Sequence, residues 1–238
     1  EEIVIDEKAM IANEQVIVPI TRDGYVKRVS MRSYNASNDV LSMHKDSDKL
    51  VTYGSASTLD TLLFFTNRGT YGYLSVYQLE EAKWKDLGSH LSSYIKMDAG
   101  EKIIQAYLLS SFDESVEVLC ASRFGMIKRT NLKELQVSRS NKTMVCMKIG
   151  SLDEMVSVAL SYSPDDVVIL SSEQGFALSY PVDQVPQVSC RSKGVKAINL
   201  VKDDHVADMI VVSNLDGQLV VVSDTAQMKR IKASDIAQ

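Results

Sequence analysis

The chain has 238 residues, of which 45% are hydrophobic and 24% charged, and its formal net charge is −5. This length and composition are typical of a soluble globular protein with a substantial core. The longest apolar runs have the length of a strand, far below the roughly 20 residues that a membrane-spanning helix needs. The first residues, Glu1-Glu2-Ile3, form no basic, apolar leader, so no secretory signal is visible. We expect a cytoplasmic protein with no membrane partner.

The basic residues are clustered, although an acidic net charge by itself argues against a nucleic-acid partner. Residues 16–45 hold five basic and two acidic residues, residues 120–150 hold seven and one, and residues 186–202 hold four and none. Residues 151–184 hold six carboxylates and no Lys or Arg. Because the basic clusters recur at comparable places along the chain, they indicate more than an ordinary mixed surface.

In chain order, five segments repeat one pattern: an apolar strand, a Thr, Ser or Asn, two variable residues, a Gly and a second strand. The side-chain oxygen can bond the backbone two residues on, and the Gly supplies the positive φ that a hairpin turn with a bulge requires. The glycines lie 45, 56, 50 and 42 residues apart. The pattern predicts hairpins at about residues 16–30, 62–77, 116–130, 166–181 and 209–223.

Between the hairpins, a second apolar element is predicted to form a strand. It occurs at residues 38–43, 88–97, 142–149 and 194–201. Each copy precedes a polar turn and a further apolar strand, so one unit contains about four strands in roughly 40–55 residues, the size of a propeller blade. The sequence therefore predicts an all-β protein, a single domain over residues 1–238 with about five to six four-stranded blades.

The sequence predicts little helix and leaves the arrangement of the chain ends open. Short helical pieces are predicted only at residues 79–85 and 131–135. After Gly217 the chain has one more strand and a basic tail, Met228-Lys229-Arg230-Ile231-Lys232, with no strand following. Two alternatives stay open: the chain stops within a blade, or the segment Ile3-Val4-Ile5 pairs back and closes the ring.

The three cysteines, Cys120, Cys146 and Cys190, are odd in number and far apart in the sequence. They have neither the spacing of a zinc site nor that of a paired disulfide framework. We expect buried free thiols in a reducing compartment.

Four segments carry a family resemblance: residues 20–28 (ITRDGYVKR), 63–69 (LFFTNRG), 122–130 (SRFGMIKRT) and 194–200 (GVKAINL). They resemble the C-terminal domains of the A subunits of bacterial type IIA DNA topoisomerases, and the resemblance covers essentially the whole chain. It implies a β-pinwheel, a propeller variant whose blades exchange strands, which binds and bends double-stranded DNA around its rim. It also implies two protein partners: the catalytic core that belongs to the same subunit, and the ATPase subunit, which is reached through that core.

One segment of this chain differs from the gyrase members of that family. After the first hairpin, the gyrase members carry a basic, glycine-rich heptapeptide, QRRGGKG, whereas residues 33–39 here are SYNASND. The difference removes three phosphate-directed cations and the flexible backbone that lets them approach DNA. The chain therefore resembles the topoisomerase IV branch of the family, with a gyrase that has a degenerate box as the alternative.

Basic pairs follow the hairpin glycine in copies one and three, namely Lys27-Arg28 and Lys128-Arg129. The other three copies have no such pair in this alignment, so blades one and three are expected to supply most DNA contacts. All such contacts would be made to phosphates, which position a protein without reading sequence. Weaker candidates of the same kind are Arg22, Arg32, Arg68, Arg123, Arg139, Lys142, Arg191, Lys193 and Lys196.

Catalysis finds little support in the sequence. The histidines His44, His90 and His205 are isolated, and no Gly-rich loop opens a helix as a phosphate cradle would. We expect no catalytic residue, no metal site, no cofactor and a monomeric chain whose repeats bury one another's apolar faces. The competing function is a protein-interaction propeller of the WD40 or kelch type, whose Gly-His and Trp-Asp signatures are absent; the sole tryptophan, Trp84, lies in a charged insert.

Overall fold

A computed structural model describes residues 7–37, 44–138 and 140–237. Within these ranges the chain is almost entirely antiparallel β-structure, with one five-residue α-helix, α1 (Met31–Asn35), which confirms the all-β prediction. The strands are, in chain order, β1 (Gln15–Thr21), β2 (Tyr25–Val26), β3 (Val29–Ser30), β4 (Leu50–Ser57), β5 (Thr61–Thr66), β6 (Thr70–Ser75), β7 (Ser89–His90), β8 (Ile103–Leu109), β9 (Glu117–Ser122), β10 (Met126–Asn131), β11 (Met144–Val145), β12 (Met155–Ser161), β13 (Val167–Ser172), β14 (Ala177–Pro181), β15 (Val195–Lys196), β16 (Val206–Val212), β17 (Gln218–Val222) and β18 (Met228–Lys232).

The strands belong to two compact units. Unit 1 comprises Glu1–Phe112 and Val137–Val145, and unit 2 comprises Asp113–Gln136 and Cys146–Gln238. Unit 1 holds the sheet β3-β1-β2-β7, in which β4 also pairs with β1, and the sheet β11-β6-β5-β8. Unit 2 holds the sheets β12-β9-β10-β15 and β14-β13-β16 and the hairpin β17-β18. That the chain forms a single domain stays a prediction.

The sheets exchange strands, as the pinwheel interpretation requires. The strand β7 follows β6 in the sequence but completes the sheet of β1 and β2. In the same way β11 completes the sheet of β5 and β6, and β15 completes the sheet of β9 and β10. Each exchanged strand has only two residues, so the strands predicted at 88–97, 142–149 and 194–201 are much shorter than expected.

The first strand of each of the first four hairpins is buried on both faces, which is why these strands appear in the sequence as continuous apolar runs. In β1, Val16, Val18 and Ile20 join the main core of unit 1. Ile17 points to the opposite face and packs with Trp84, which is 1% exposed although its sequence neighbourhood is charged. Unit 2 has an equivalent core built on β9 and β13.

The first four hairpin turns have the predicted glycine with positive φ, but in three of them the hydroxyl bonds the backbone four residues on rather than the predicted two. The glycine amide donates to the carbonyl oxygen three residues earlier at 3.0–3.1 Å in every copy. In copies one, three and four a Ser or Thr hydroxyl accepts a hydrogen bond from the amide four residues on, as Thr21 does from Tyr25 at 3.1 Å and Ser122 from Met126 at 3.2 Å. In copy two the Thr66 hydroxyl accepts instead from the Arg68 amide, two residues on, at 3.2 Å. Each glycine has positive φ: +97° at Gly24, +74° at Gly69, +85° at Gly125 and +90° at Gly175.

The fifth hairpin lies elsewhere than predicted. The strand β16, assigned from the sequence to a hairpin at 209–223, pairs instead with β13, and Gly217 precedes β17. The true fifth hairpin is β17–β18, whose turn has Ala226 at φ +58° where the other copies have glycine. The amide of Gln227 donates to the Ser223 hydroxyl at 3.1 Å, as in the first, third and fourth turns. The sequence alignment failed because the pattern required a glycine, which is present at Gly217 but absent from the true turn.

The helical predictions also need correction. Residues 79–85 form no helix, and residues 132–135 form a 3-10 turn rather than an α-helix. The one α-helix, α1, was not predicted; Ser30 caps its first turn by accepting from the Ser33 amide. The strand predicted at residues 38–43 and the segment 3–5 lie outside the described residues.

Three hairpin turns are anchored by a buried aspartate just before the strand that pairs with the hairpin. One carboxylate oxygen of Asp204 accepts from the amides of Gln174 (3.0 Å) and His205 (2.8 Å). Asp48 and Asp153 hold the first and third turns in the same way. The anchors lie 25 to 30 residues from the turns they hold, so adjacency in the sequence does not reveal them.

Replacing Asp204 with asparagine is expected to lower the free energy of unfolding at neutral pH. Burial opposes ionisation of Asp204, but hydrogen bonds from Ser172, Gln174 and His205 outweigh it and lower its pKa. A carboxyl with a lowered folded-state pKa contributes stability that is present above its unfolded pKa of about 3.9 and lost as pH falls through the folded value. Urea unfolding of wild type and Asp204→Asn at pH 7, 5 and 3 should therefore give a difference that disappears in acid. A difference independent of pH would contradict the anchor role; exposed Asp165→Asn is the control.

The cysteines are free, and all three lie in unit 2. Cys120 and Cys146 are buried with their sulfur atoms 3.4 Å apart, and Cys190 is half-buried. The contact with Cys120 and burial raise the pKa of the Cys146 thiol well above its ordinary value, and burial raises the pKa of Cys190 to about 11. The predicted free thiols are therefore confirmed, with Cys190 less buried than expected.

In the described ranges no helix has the length and apolar composition needed to cross a bilayer.

Candidate nucleic-acid interface

The second strand of a hairpin is covered at its outer edge by the exchanged strand. In unit 1 this pair is β2 with β7, and in unit 2 it is β10 with β15. One residue beyond each pair, Lys27 lies against Gly88 and Lys128 lies against Gly194. A Cβ atom on these glycines would lie 2.9 and 3.0 Å from the lysine Cβ atoms. The first residue of each basic pair, Lys27 or Lys128, is therefore covered by an exchanged segment.

Lys27 is buried within unit 1, with 1% of its surface exposed. Its Nζ donates to the main-chain oxygen of Trp84 at 2.7 Å and to that of Asp86. Burial lowers the pKa of Lys27 to about 8, while the Asp86 carboxylate acts in the opposite direction. The lysine thus holds the exchanged segment from below.

Lys128 has the same role in unit 2 and is 0% exposed. Its Nζ donates to the main-chain oxygens of Cys146 (2.6 Å), Ser189 (2.9 Å) and Cys190 (3.2 Å). The structure contradicts the prediction that Lys27 and Lys128 contact phosphates, because a phosphate cannot reach a buried ammonium that is already bonded to carbonyl oxygens.

In copy two both the buried lysine and the glycine that faces it are replaced, which indicates that the two residues depend on each other. The pairing of β6 with β11 places Gly72 at the lysine position and Thr143 at the glycine position. A Cβ on Gly72 would lie 2.5 Å from the buried Phe64 ring, so no side chain fits there. Where no lysine stem runs below the exchanged strand, a residue with a side chain takes the place of glycine.

Three of the predicted arginines are half-buried and partly engaged. Arg28 lies 3.7 Å from Glu81, and Arg123 lies 3.5 Å from Glu173. The Nε of Arg129 donates to a main-chain oxygen at 2.6 Å. Ion pairs with partners as exposed as Glu81 and Glu173 are weak. These contacts therefore engage each guanidinium group only in part.

The remaining predicted contact residues are exposed, apart from Arg139, which lies outside the described residues. Among the described residues, no carboxylate comes within 4.0 Å of their charged nitrogen atoms. They are Arg22, Arg32, Arg68 and Lys142 in unit 1 and Arg191, Lys193 and Lys196 in unit 2.

The densest group of these cations lies on the exchanged segment of unit 2, residues 189–196, which carries three of them. The amide of Ser192 closes a turn onto the Ser189 oxygen at 3.0 Å. The amide of Lys148 donates to the Ser192 oxygen at 3.0 Å, which brings a fourth exposed cation beside the segment. We call these four residues (Lys148, Arg191, Lys193 and Lys196) the unit 2 cation cluster. Such a concentration of unpaired positive charge favours a polyanionic ligand.

The sequence reasoning missed part of this pattern. It did not select Lys148, nor the exposed Lys83 and Lys85, which lie on the equivalent exchanged segment of unit 1. It also missed Lys229-Arg230, which follows Ala226 as Lys27-Arg28 follows Gly24. An alignment of Gly88 with Gly194, and of the turn hydroxyl groups rather than the turn glycines, would have found them.

The histidines have structural partners. The ring of His90 contacts the Asp23 main-chain oxygen and the Ser92 hydroxyl, both at 2.7 Å. His205 lies 3.1 Å from Glu173. In the part of the chain that the structure describes, no three His, Cys, Asp or Glu side chains are grouped so as to hold a metal ion.

Comparisons with known proteins agree with the repeat. A family model described as "DNA gyrase C-terminal domain, beta-propeller" matches residues 17–38, 60–110, 117–160, 166–213 and 217–238. The A subunit of DNA topoisomerase 4 from Staphylococcus epidermidis is 34% identical over 230 residues, which are 97% of this chain and 28% of that protein. The Bacillus subtilis protein of the same name is 35% identical over 235 residues, 99% of this chain and 29% of its own length. The chain thus spans less than a third of these relatives.

Two solved structures are similar over most of the chain. The C-terminal domain of DNA topoisomerase IV has a TM-score of 0.83 and 36% identity, over 95% of this chain and 70% of that one. The DNA gyrase A C-terminal domain has a TM-score of 0.72 and 22% identity, over 94% and 74%, which shows likeness of fold alone. The exchanged strands, the repeated hairpins and these matches together show that the chain belongs to the family of DNA gyrase C-terminal β-propeller domains, in which it is similar to those of the topoisomerase IV members.

Proposed function

We propose that the chain is a non-catalytic module that binds and bends double-stranded DNA, as the C-terminal part of the A subunit of a topoisomerase IV. In this role it presents a DNA segment to the catalytic core of the same subunit, which works with an ATPase subunit in the bacterial cytoplasm. The module is a monomer, and the association of subunits belongs to the remainder of the protein.

The observation that carries the proposal is the unit 2 cation cluster. Its four side chains are exposed, and in the described ranges none has an ion-pair partner, unlike Arg28, Lys102 and Arg123. Lysine and arginine arranged in this way neutralise phosphates and release condensed counterions, which is the main source of sequence-independent affinity for DNA. Contacts to phosphates alone carry no sequence information, so binding is nearly independent of base sequence.

The topoisomerase IV assignment rests on the region after the first hairpin. Helix α1 and the residues after it stand where gyrase carries its basic box, and Arg32, which is exposed, precedes that stretch. The similarity to the topoisomerase 4 relatives at 34–35% identity supports the same assignment. A module without the box bends DNA but lacks the anchor for a complete wrap.

DNA binding by this chain is expected to weaken steeply with salt. If about five phosphates are neutralised, log affinity should fall with log salt concentration at a slope of about −4 to −5. Bending 20–30 base pairs consumes on the order of 1–6 kcal/mol of contact energy, so the net affinity should be modest. Fluorescence anisotropy with a labelled duplex of about 30 base pairs, between about 50 and 200 mM salt, measures the slope. Absence of binding at the lowest salt would instead favour a protein-interaction propeller.

A further inference from the structure

The segment that carries the unit 2 cation cluster has little regular structure to hold it in place. Only Val195 and Lys196 form the strand β15, paired to two residues of β10. Ahead of them, the main-chain oxygens of Ser189 and Cys190 point inward, and both accept from the Nζ of Lys128. The lysine therefore fixes residues 189 and 190, which neither the strand pairing nor the hydrogen bond from the Lys148 amide to the Ser192 oxygen reaches.

Lys128 cannot contact DNA directly, so its side chain can affect DNA binding only by holding the backbone of the exchanged segment. It is 0% exposed, and its ammonium is bonded to three carbonyl oxygens. Hydrogen bonds from a charged donor are roughly twice as strong as those between neutral groups, so the three contacts hold the backbone firmly. Gly194 permits this arrangement, because a Cβ there would lie 3.0 Å from that of Lys128.

The same device occurs in unit 1. Lys27 bonds the main-chain oxygens of Trp84 and Asp86, and Lys83 and Lys85 lie exposed on either side of Trp84. In both units the ammonium of a buried lysine donates hydrogen bonds to main-chain oxygens of a short segment that carries exposed cations.

We propose that Lys128, and Lys27 in unit 1, are positioning residues of the DNA interface: each uses its buried ammonium to hold an exchanged segment so that the exposed cations on it face the DNA phosphates. The inference rests on the proposed DNA-binding function. Without the ammonium, the segment would have to be ordered at the moment of binding, and that cost would appear as lost affinity.

The test combines Lys128→Met with a triple variant of the cluster, Arg191→Ala/Lys193→Ala/Lys196→Ala, in a double-mutant cycle. Lys128→Met keeps an apolar stem but removes the ammonium, and exposed Lys133→Met in the same unit loses the same charge elsewhere. We expect Lys128→Met to weaken DNA binding about 10-fold and Lys133→Met to leave it nearly unchanged. In the triple-variant background, Lys128→Met should have almost no further effect, because the cations it positions are gone.

Hydrogen exchange without DNA gives a second readout. The amides of residues 189–194 should exchange faster in Lys128→Met, while those of β9 and β10 remain protected. The inference is overturned if Lys128→Met binds DNA like wild type, if its effect is undiminished in the triple-variant background, or if exchange in 189–194 is unchanged. If Lys128→Met does not fold, Lys128→Gln, whose amide can still donate to two oxygens, replaces it in the cycle with the same expected order of effects. A triple variant that binds as tightly as wild type would contradict the proposed function instead.

Discussion

Replacing Gly194 with alanine is expected to be among the most damaging single changes in this chain. Gly194 has φ +84°, and a Cβ there would lie 2.3 Å from the Ile127 main-chain oxygen. A left-handed backbone costs a non-glycine residue about 1–2 kcal/mol, and forcing atoms into a packed site adds about 1–3 kcal/mol. Urea unfolding should therefore show a loss of about 2–5 kcal/mol.

Gly175→Ala is the matched control in the same unit. Gly175 has φ +90°, but nothing lies within 4 Å of the position its Cβ would take. Its substitution should cost only the backbone term of about 1–2 kcal/mol. The difference between the two variants isolates the close approach of the exchanged segment to β10. Equal losses would mean that the segment yields freely and is not held against the strand.

The hairpins could be predicted from the sequence because every determinant is local. A hydroxyl such as Thr21 and a glycine such as Gly24 stand three residues apart, between apolar strands, and together they specify the turn. The prediction of the fifth hairpin failed because its turn lacks the expected glycine: Ala226 adopts the left-handed conformation in its place. The strands β17 and β18 were consequently misplaced although their hydroxyl, Ser223, follows the rule.

The interface was harder to predict because its determinants are distant in the sequence. Lys128 is buried by a segment about 60 residues later, and nothing near it in the sequence distinguishes it from the half-buried Arg129. The position of Lys148 beside the cluster is decided in the same way, by the hydrogen bond from its amide to the Ser192 oxygen. Basic composition therefore located the correct regions of the chain, whereas the assignment of individual cations required the strand exchange.

The central claim is that exposed cations on the exchanged segment of unit 2 bind DNA, and one comparison of variants tests it most directly. The first variant is Arg191→Ala/Lys193→Ala/Lys196→Ala. The second, Lys133→Ala/Lys202→Ala/Lys232→Ala, removes the same formal charge from three exposed lysines on separate elements of the same unit. Exposed charges contribute little to stability, so both should melt near the wild-type temperature.

Anisotropy titrations of the two variants against a duplex of about 30 base pairs, over a salt series, provide the measurement. We expect the first variant to lose about 10- to 100-fold in affinity at about 100 mM salt and to flatten the salt slope by about 3, since three phosphate contacts are lost. The second should stay within about 3-fold of wild type, with a slope changed by less than about 1. Equal losses in the two variants would show that bulk charge alone governs binding and would contradict the assignment of the interface.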